Sequence, residues 1–313
     1  MGNTCVAYAL VRNLFSYDSE LQFRNFRLWK TDTPGLVRDA VAVLPMGSRV
    51  QLHNDWIYER HYTDVPENFG SVPFDVQDVL LLLRLFRIGE ISFVRHSIKA
   101  DNGTILQQFP QRTMTEKYSP QSNWYVFHKD DCAVFDHFAD EIRQTPAWRS
   151  AWFETATRYF LFGSAKEFEL EFGVVDRVID YTIAMEASLV PEVDFVDRRL
   201  RERAVKLINA PDEVKQLLKR LYGVRSTVVH GSRLVKEQNR FLQERMNDFE
   251  QWVRAILTAA VRQLSPDEKI RSQQLKNLYD VSDAIRLDRL RQLAAETKNK
   301  ELVAIILKAT RVG

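Results

Sequence analysis

The chain has few cysteines and no long apolar run. Its 313 residues include only two cysteines, Cys5 and Cys132, which lie far apart and outside any C-x-x-C pair. This spacing excludes a disulfide framework and gives no support to a zinc knuckle. No apolar stretch approaches the roughly 20 residues that a membrane-crossing helix needs, and the first residues lack a signal-peptide pattern. We therefore expect a cytoplasmic protein that does not enter a membrane.

The sequence also lacks the motifs of several common enzyme classes. It contains no Gly-rich phosphate loop, no G-x-S-x-G elbow and no H-E-x-x-H pair. P-loop enzymes, α/β-hydrolases and zincins therefore have no support, and we expect neither a metal nor another cofactor. A competing metal site stays open around His128 and His137, although acidic residues are common at the start of a helix. The aspartates of this cluster are Asp130, Asp131, Asp136 and Asp140.

Charge is nearly balanced over the whole chain but is unevenly spread along it. The net charge is +2, and the 45% hydrophobic and 27% charged content is that of a soluble globular protein. Residues 1–147 carry 15 basic and 18 acidic side chains, a net charge of −3, whereas residues 148–313 carry 29 and 24, a net charge of +5. This excess permits a nucleic-acid partner for the second part without requiring one.

The first part of the chain mixes strand and helix patterns. The segments ISFVRHSIK and TILQQF flank Asn102-Gly103, which predicts a β-hairpin with a type I′ turn. The stretch DVQDVLLLLRLFRIG predicts a helix with Asp75 as its N-cap and Gly89 just after its end. Further strands are predicted at AVAVL, RVQL and WYVFH. We therefore expect residues 1–147 to form an α+β domain.

The second part has a helical pattern throughout. Apolar residues recur at a spacing of about 3.6, with short breaks at Gly, Pro or Asn-Ala-Pro. We expect residues 148–313 to form an all-α bundle with a C-terminal helical extension, so that the protein is mainly α overall. The predicted helices, the first of which precedes this boundary, are 132–144, 148–162, 170–189, 195–209, 212–224 or beyond, 238–264, 274–297 and 300–311.

Residues 221–231, LYGVRSTVVHG, contain the most informative pattern in the chain. Arg225 and His230 are five residues apart, so on one helix they would point about 140° away from each other. Either a helix begins here with Ser226 as its N-cap, or the long arginine stem wraps around the helix. Ser226 and His230 are four residues apart and would share a helical face, where the hydroxyl could orient the imidazole.

This pattern resembles the R-x4-H motif of the HEPN superfamily of helical ribonucleases and nucleotide-binding modules. Tyr222 and Gly231, which flank the motif, resemble the Apea-like branch of that superfamily. Two upstream helices resemble the same branch, VVDRVIDYTIAMEASLV at 174–190 and RRLRERAVKLI at 198–208. The resemblance covers roughly residues 150–265 and implies an all-α HEPN-like helical bundle.

The resemblance implies a metal-independent endoribonuclease in which the motifs of two subunits of a homodimer form one composite site. His230 would deprotonate the ribose 2′-hydroxyl or protonate the leaving 5′-oxygen, and Arg225 would stabilise the negative charge that develops on the phosphate. Ser226 would orient one of them, and Tyr222 would support the site. The substrate would be RNA, with tRNA as one candidate, and the products would carry 2′,3′-cyclic phosphate and 5′-hydroxyl ends.

The resemblance also implies a biological setting. Such an enzyme would act in antiphage defence, abortive infection or a toxin system. The α+β domain would sense a trigger or position the substrate, and the sequence identifies neither a trigger nor an inhibitory partner.

A carboxylate in the first of these helices needs a partner. Glu186 lies on an apolar stripe, where an unpaired charge is costly to bury. Arg225, His230 and Arg203 are each plausible partners for it. The apolar neighbours on this stripe are Val175, Ile179, Thr182 and Leu189.

Several basic residues near the motif are candidates for RNA contacts. The run RRLRER at 198–203 is the densest of them, although such a run most often marks a solvated helix. The residues expected to bind RNA are Arg198, Arg199, Arg203, Lys219 and Arg233.

Two other classes of function remain open. One is a helical module that has lost cleavage and binds RNA, nucleotides or proteins. The other is a scaffold in which His230 only interacts with the last carbonyls of a helix before Gly231.

Overall fold

A computed structural model describes residues 3–31, 55–65, 71–100, 102–110, 124–164, 173–193, 195–232 and 234–280. The chain divides into two compact units, residues 1–141 and 142–313. All of the described strands lie in the first unit, and the described elements of the second unit are helices. A sheet-containing N-terminal region is thus followed by helices, and the fold is mainly α.

The first unit contains eight strands among its described residues. They are β1 Asn3–Arg12, β2 Leu14–Phe15, β3 Glu20–Gln22, β4 Arg27–Lys30, β5 Trp56–Val65, β6 Ser92–Ala100, β7 Ile105–Pro110 and β8 Tyr125–Val126. Six of them form an antiparallel sheet in the order β3-β4-β5-β1-β6-β7, and β2 pairs with β8 in parallel. The predicted strands AVAVL and RVQL lie outside the described residues.

The predicted hairpin is confirmed, but its turn is of another type. Strands β6 and β7 are antiparallel neighbours. The Gly103 N–H donates to the Ala100 carbonyl, and the Ala100 N–H donates to the Thr104 carbonyl. Gly103 has a φ of +87°, whereas Asn102 is not among the described residues with positive φ. A type I′ turn needs positive φ at both positions, so Asn102 and Gly103 do not form one.

The described residues of the first unit also form two helices, α1 Val72–Phe86 and α2 Asp131–Arg143, and α2 crosses the boundary between the units. The N-cap of α1 is Ser71, so the prediction of Asp75 as the cap is wrong. Pro73 explains the earlier start, because a proline in the first turn has no N–H to lose. Asp75 lies inside the helix, where its carboxylate accepts from the Tyr62 hydroxyl and pairs with Arg60 at 2.7 Å.

A buried carboxyl next to β5 makes the stability of the protein dependent on pH. Asp55 is 2% exposed, and burial raises its pKa from 3.8 to about 6, against the opposing effect of Arg12 at 3.9 Å. The native state therefore holds this proton more tightly than the unfolded chain does. The contribution of Asp55 to the free energy of unfolding is complete below the ordinary pKa of this carboxyl. It is lost as the pH rises from about 4 to about 6.

We expect Asp55→Asn to remove this loss of stability at higher pH. Above pH 6 the variant should be more stable than the wild type by up to about 3 kcal/mol, and below pH 4 the two should be equal. Urea unfolding at several pH values measures the difference. Asp130→Asn, at an exposed carboxylate of the same unit, is the control and should keep the wild-type profile. Parallel profiles for Asp55→Asn and the wild type would contradict the assignment.

The second unit consists of helices in its described part. A short 3-10 helix, Pro146–Arg149, precedes α3 Ala151–Ser164, α4 Gly173–Leu189, α5 Val196–Leu207, α6 Asp212–Val229, α7 Lys236–Gln263 and α8 Glu268–Tyr279. The predicted helices correspond to these, apart from the one predicted at 274–297. Residues 281–297 lie outside the described residues, and α8 ends at Tyr279 with Asp280 as its C-cap and begins earlier than residue 274. Asp267 explains that start, because its side chain accepts from the Ile270 N–H at 2.9 Å as an N-cap. The predicted helix 300–311 lies outside the described residues.

Helix α4 lies at the centre of this unit. It contacts α3, α5, α6 and α7. Gly163 allows α3 to approach closely, since a Cβ there would lie 2.6 Å from the ring of Tyr181. None of the described helices is both long and apolar enough to cross a bilayer. The fully buried side chains of α4 include Val174, Val178, Tyr181, Met185 and Leu189.

Candidate active site

Helix α6 carries the R-x4-H motif without a break. Apolar residues recur every three or four positions along it and so share one buried face, which consists of Val214, Leu217, Leu218, Leu221 and Val224. This periodicity continues through the motif, and the helix ends at Val229. Ser226 therefore lies inside the helix, which excludes the alternative in which it is an N-cap.

The end of α6 explains why a glycine follows the histidine. His230 is the C-cap, and Gly231 has a φ of +76°, a conformation that strongly favours glycine. The Gly231 N–H donates to the Val228 carbonyl at 2.9 Å, and the Ser232 N–H donates to the Thr227 carbonyl at 3.0 Å. These two hydrogen bonds form a Schellman motif. Gly231 thus has a structural role that is independent of chemistry.

Arg225 is held by a carboxylate from α4. Its Nη2 lies 3.3 Å from Glu186 Oε2, and the two side chains are 24% and 18% exposed. Its Nη1 donates to the Tyr222 hydroxyl at 3.4 Å, and the guanidinium lies 5.2 Å from the centroid of the same ring. Of the three partners considered for Glu186, the structure selects Arg225. Tyr222, predicted to support the site, belongs to the same cluster.

Burial dominates the electrostatics of this cluster. It raises the pKa of Glu186, against the opposing effects of Arg225 and a hydrogen bond with Tyr222. Burial and the charge of Glu186 raise the pKa of Tyr222 to about 12, so the phenol keeps its proton at neutral pH. Among the described residues, Glu186 Oε1 and Arg225 Nε are buried and have no hydrogen-bond partner. The guanidinium therefore keeps donor capacity beyond the bonds that hold it.

The histidine of the motif is exposed at the end of the same helix. Its backbone N–H donates to the Ser226 carbonyl at 3.1 Å. In the part of the chain that the structure describes, neither the imidazole nor the Ser226 hydroxyl makes a hydrogen bond. The expected bond between Ser226 and the imidazole is absent, so no described side chain of the protomer orients His230.

The predicted RNA-binding residues fall into different environments. Arg198 is 73% exposed and pairs with Glu202, while the half-buried Arg199 lies 3.8 Å from Glu192. Lys219 is exposed on α6. Arg233 lies outside the described residues. Arg198 and Lys219 are thus the freest of these cations to meet a ligand.

Arg203 is fully buried, and its prediction as an RNA-binding residue is wrong. Its guanidinium forms a double ion pair with Glu192 and Asp280, with donor–acceptor distances of 2.7 to 3.1 Å. Its Nη1 also donates to the Leu189 carbonyl at the end of α4. The side chain joins three parts of the helical unit, and its charge is already balanced.

The competing metal site finds no support among the described residues. Asp131 pairs with Arg87 at 2.8 Å, and both Asp136 and Asp140 bond to Arg24. No group of three or more potential ligands in the described ranges could hold a metal ion. Asp131 and Asp140 are instead paired with arginine side chains, and Asp136 accepts from the backbone N–H of Arg24.

The sequence patterns did not predict that two apolar side chains near the motif are exposed. Val229, next to His230, is 54% exposed, and Phe195, at the start of α5, is 75% exposed. The first turn of α5 lies near the motif, because α5 and α6 pack against each other and are joined by a loop of only four residues, 208–211. An apolar residue on a helical pattern is normally assigned to the core, so only their solvent exposure in the fold reveals them.

Comparison of this chain with protein-family models, with curated proteins and with solved structures found no match.

Proposed function

We propose that the protein is a metal-independent endoribonuclease in which Arg225 and His230 are the catalytic residues that cleave RNA. The observation that carries this proposal is the pairing of two features on one helix. A half-buried carboxylate holds Arg225 in place, and His230 is exposed at the helix end. The exposed imidazole moves the proton of the 2′-hydroxyl, while the guanidinium stabilises charge on the phosphate. The role proposed for the enzyme is antiphage defence, abortive infection or a toxin system.

The proposed site is completed by a second copy of the chain. On a continuous helix, positions five residues apart point about 140° away from each other, so we do not expect one protomer to aim Arg225 and His230 at the same phosphate. A twofold axis near the end of α6 would bring the arginine of one copy toward the histidine of the other. The exposed Val229 and Phe195 supply apolar surface for such a contact.

The first test of this proposal is RNA cleavage without divalent metal. Purified protein is incubated in EDTA with labelled tRNA, with a structured RNA and with DNA of the same sequence. We expect discrete cleavage of RNA and none of DNA, because DNA lacks the 2′-hydroxyl that attacks the phosphate. Cleavage of both, or cleavage that requires added magnesium, would contradict the proposed chemistry.

We expect Val229→Lys to weaken the dimer and to abolish cleavage. A lysine suits the C-terminal end of a helix, so the protomer should stay folded, but like charges would meet across a twofold axis. Size-exclusion chromatography with light scattering measures the mass. Val134→Lys is the matched control, because Val134 is 58% exposed on a helix of the other unit. A dimer that survives in Val229→Lys would place the interface elsewhere.

A binding module without cleavage is the second candidate. The Schellman motif already accounts for Gly231, and no described side chain orients the imidazole of His230. Both features would persist in a domain that had lost its activity. RNA binding by both the wild type and His230→Ala, with no cleavage by either, would favour this candidate.

A further inference from the structure

A cavity in the first unit lies where β5 extends past the end of β4. The pairing of these strands runs from Lys30 opposite Trp56 to Arg27 opposite Glu59. Beyond this point β5 continues with Arg60 and His61. The cavity has a volume of about 340 Å³ and is lined by residues 22 and 24–27 and by residues 59–61. This volume lies within the range of small-molecule sites, about 300–1,000 Å³.

A buried carboxylate forms one wall of the cavity. Glu59 is 5% exposed. Its two oxygens accept from Arg27 Nη2 at 2.8 and 3.0 Å and from Trp29 Nε1 at 3.2 Å. A third donor, His61, lies 2.8 Å away through its Nε2. The carboxylate is thus fully bonded and fixes the groups around it.

His61 is oriented by this carboxylate and still faces solvent. Residues 59 and 61 of a strand point to the same face, which allows the contact. The imidazole is 71% exposed although its Nε2 is bonded to Glu59. A hydrogen bond from Nε2 to a carboxylate fixes the tautomer, so Nδ1 is the ring atom left for a ligand.

The lining of the cavity favours an anion. Arg24, Arg27 and His61 line the cavity together with a single carboxylate, Glu59, to which Arg27 is bonded. The third arginine of the lining, Arg60, pairs with Asp75, outside the cavity. Arg24 is 61% exposed, and its partner Asp140 does not line the cavity. Its guanidinium is therefore free to exchange this surface partner for a ligand, because exposed ion pairs contribute little stability.

We propose that this cavity binds the terminal phosphate of a small molecule, such as a nucleoside monophosphate. A phosphate offers three strong acceptor oxygens, whereas a carboxylate offers two, and two guanidiniums with an imidazole match the larger number. Arg24 and Arg27 contact the phosphate, and His61, held by Glu59, contacts a further oxygen. The site does not depend on the ribonuclease proposal, since it uses no residue of the second unit.

Isothermal titration of the full chain tests this site with four probes. They are inorganic phosphate, adenosine 5′-monophosphate, adenosine and a single-stranded RNA with a 5′-hydroxyl. We expect both small phosphates to bind and adenosine not to bind. Arg24→Ala and His61→Ala should each weaken the binding of adenosine 5′-monophosphate by about tenfold or more, as for a lost charged hydrogen bond. Both side chains are largely exposed, so these variants should fold.

The matched control is Arg240→Ala, at an 80% exposed arginine in the second unit. It should leave the affinity for adenosine 5′-monophosphate unchanged. The proposal is overturned if neither small phosphate binds at millimolar concentration, or if Arg240→Ala weakens binding as much as Arg24→Ala. Tighter binding of the 5′-hydroxyl RNA than of the monophosphate, lost in Arg24→Ala, would also overturn it and would assign the cavity to an RNA backbone.

Discussion

Replacing His230 with alanine is expected to lower the rate of RNA cleavage by about 10²- to 10⁴-fold. This is the usual contribution of a positioned general acid or base. The melting temperature should not change, because the imidazole is exposed and the hydrogen bonds of the helix end come from the backbone. Single-turnover cleavage of labelled RNA measures the rate.

His137→Ala is the matched control for this prediction, because His137 is also exposed on a helix but lies in the first unit. It should cleave at the wild-type rate. Two outcomes would contradict the role of His230. One is cleavage by His230→Ala at the wild-type rate. The other is a clear fall in melting temperature with RNA interactions unchanged, which would make the histidine a structural cap.

The largest effect on stability is expected from Arg203→Ala. In the wild type, Glu192 and Asp280 both pair with the guanidinium of Arg203, which lies between them. The substitution would remove this guanidinium from both carboxylates. Removing one partner of a buried ion pair costs about 3–5 kcal/mol, and the carboxylates here are partly exposed, so we expect about 3 kcal/mol. Urea unfolding followed by circular dichroism measures the loss.

The same helix offers a control for this change. Arg198 is 73% exposed and pairs only with the neighbouring turn, so Arg198→Ala should change the free energy of unfolding by less than about 0.5 kcal/mol. Equal effects of the two substitutions would show that Arg203 does not join these helices.

Periodic patterns made much of this fold predictable. The apolar spacing of α4, α6 and α7 located those helices, and the Asn-Gly pair located the hairpin of β6 and β7. The alternative of an N-cap at Ser226 stayed open because a serine inside a helix can have the same local sequence as a serine at its start. What decides between them is whether apolar positions continue on both sides of the serine, and here the buried Leu221 and Val224 precede it and the half-buried Val228 follows it.

Pairings between distant residues were not predictable from the sequence. Glu186 had three plausible partners, and the structure excludes Arg203 because Glu192 and Asp280 occupy it. Asp280 is 77 residues away from Arg203, a separation that no local pattern spans. The partnership of Glu59 and His61, in contrast, had a signal, since two polar residues at alternate positions of a strand share a face.

The chemistry of the RNA ends tests the central claim most directly. Wild-type protein and His230→Ala are incubated with labelled tRNA in EDTA, and the ends of the fragments are identified. The account predicts 2′,3′-cyclic phosphate and 5′-hydroxyl ends, from the wild type alone. Fragments with 3′-hydroxyl and 5′-phosphate ends, or the same fragments from His230→Ala, would contradict it.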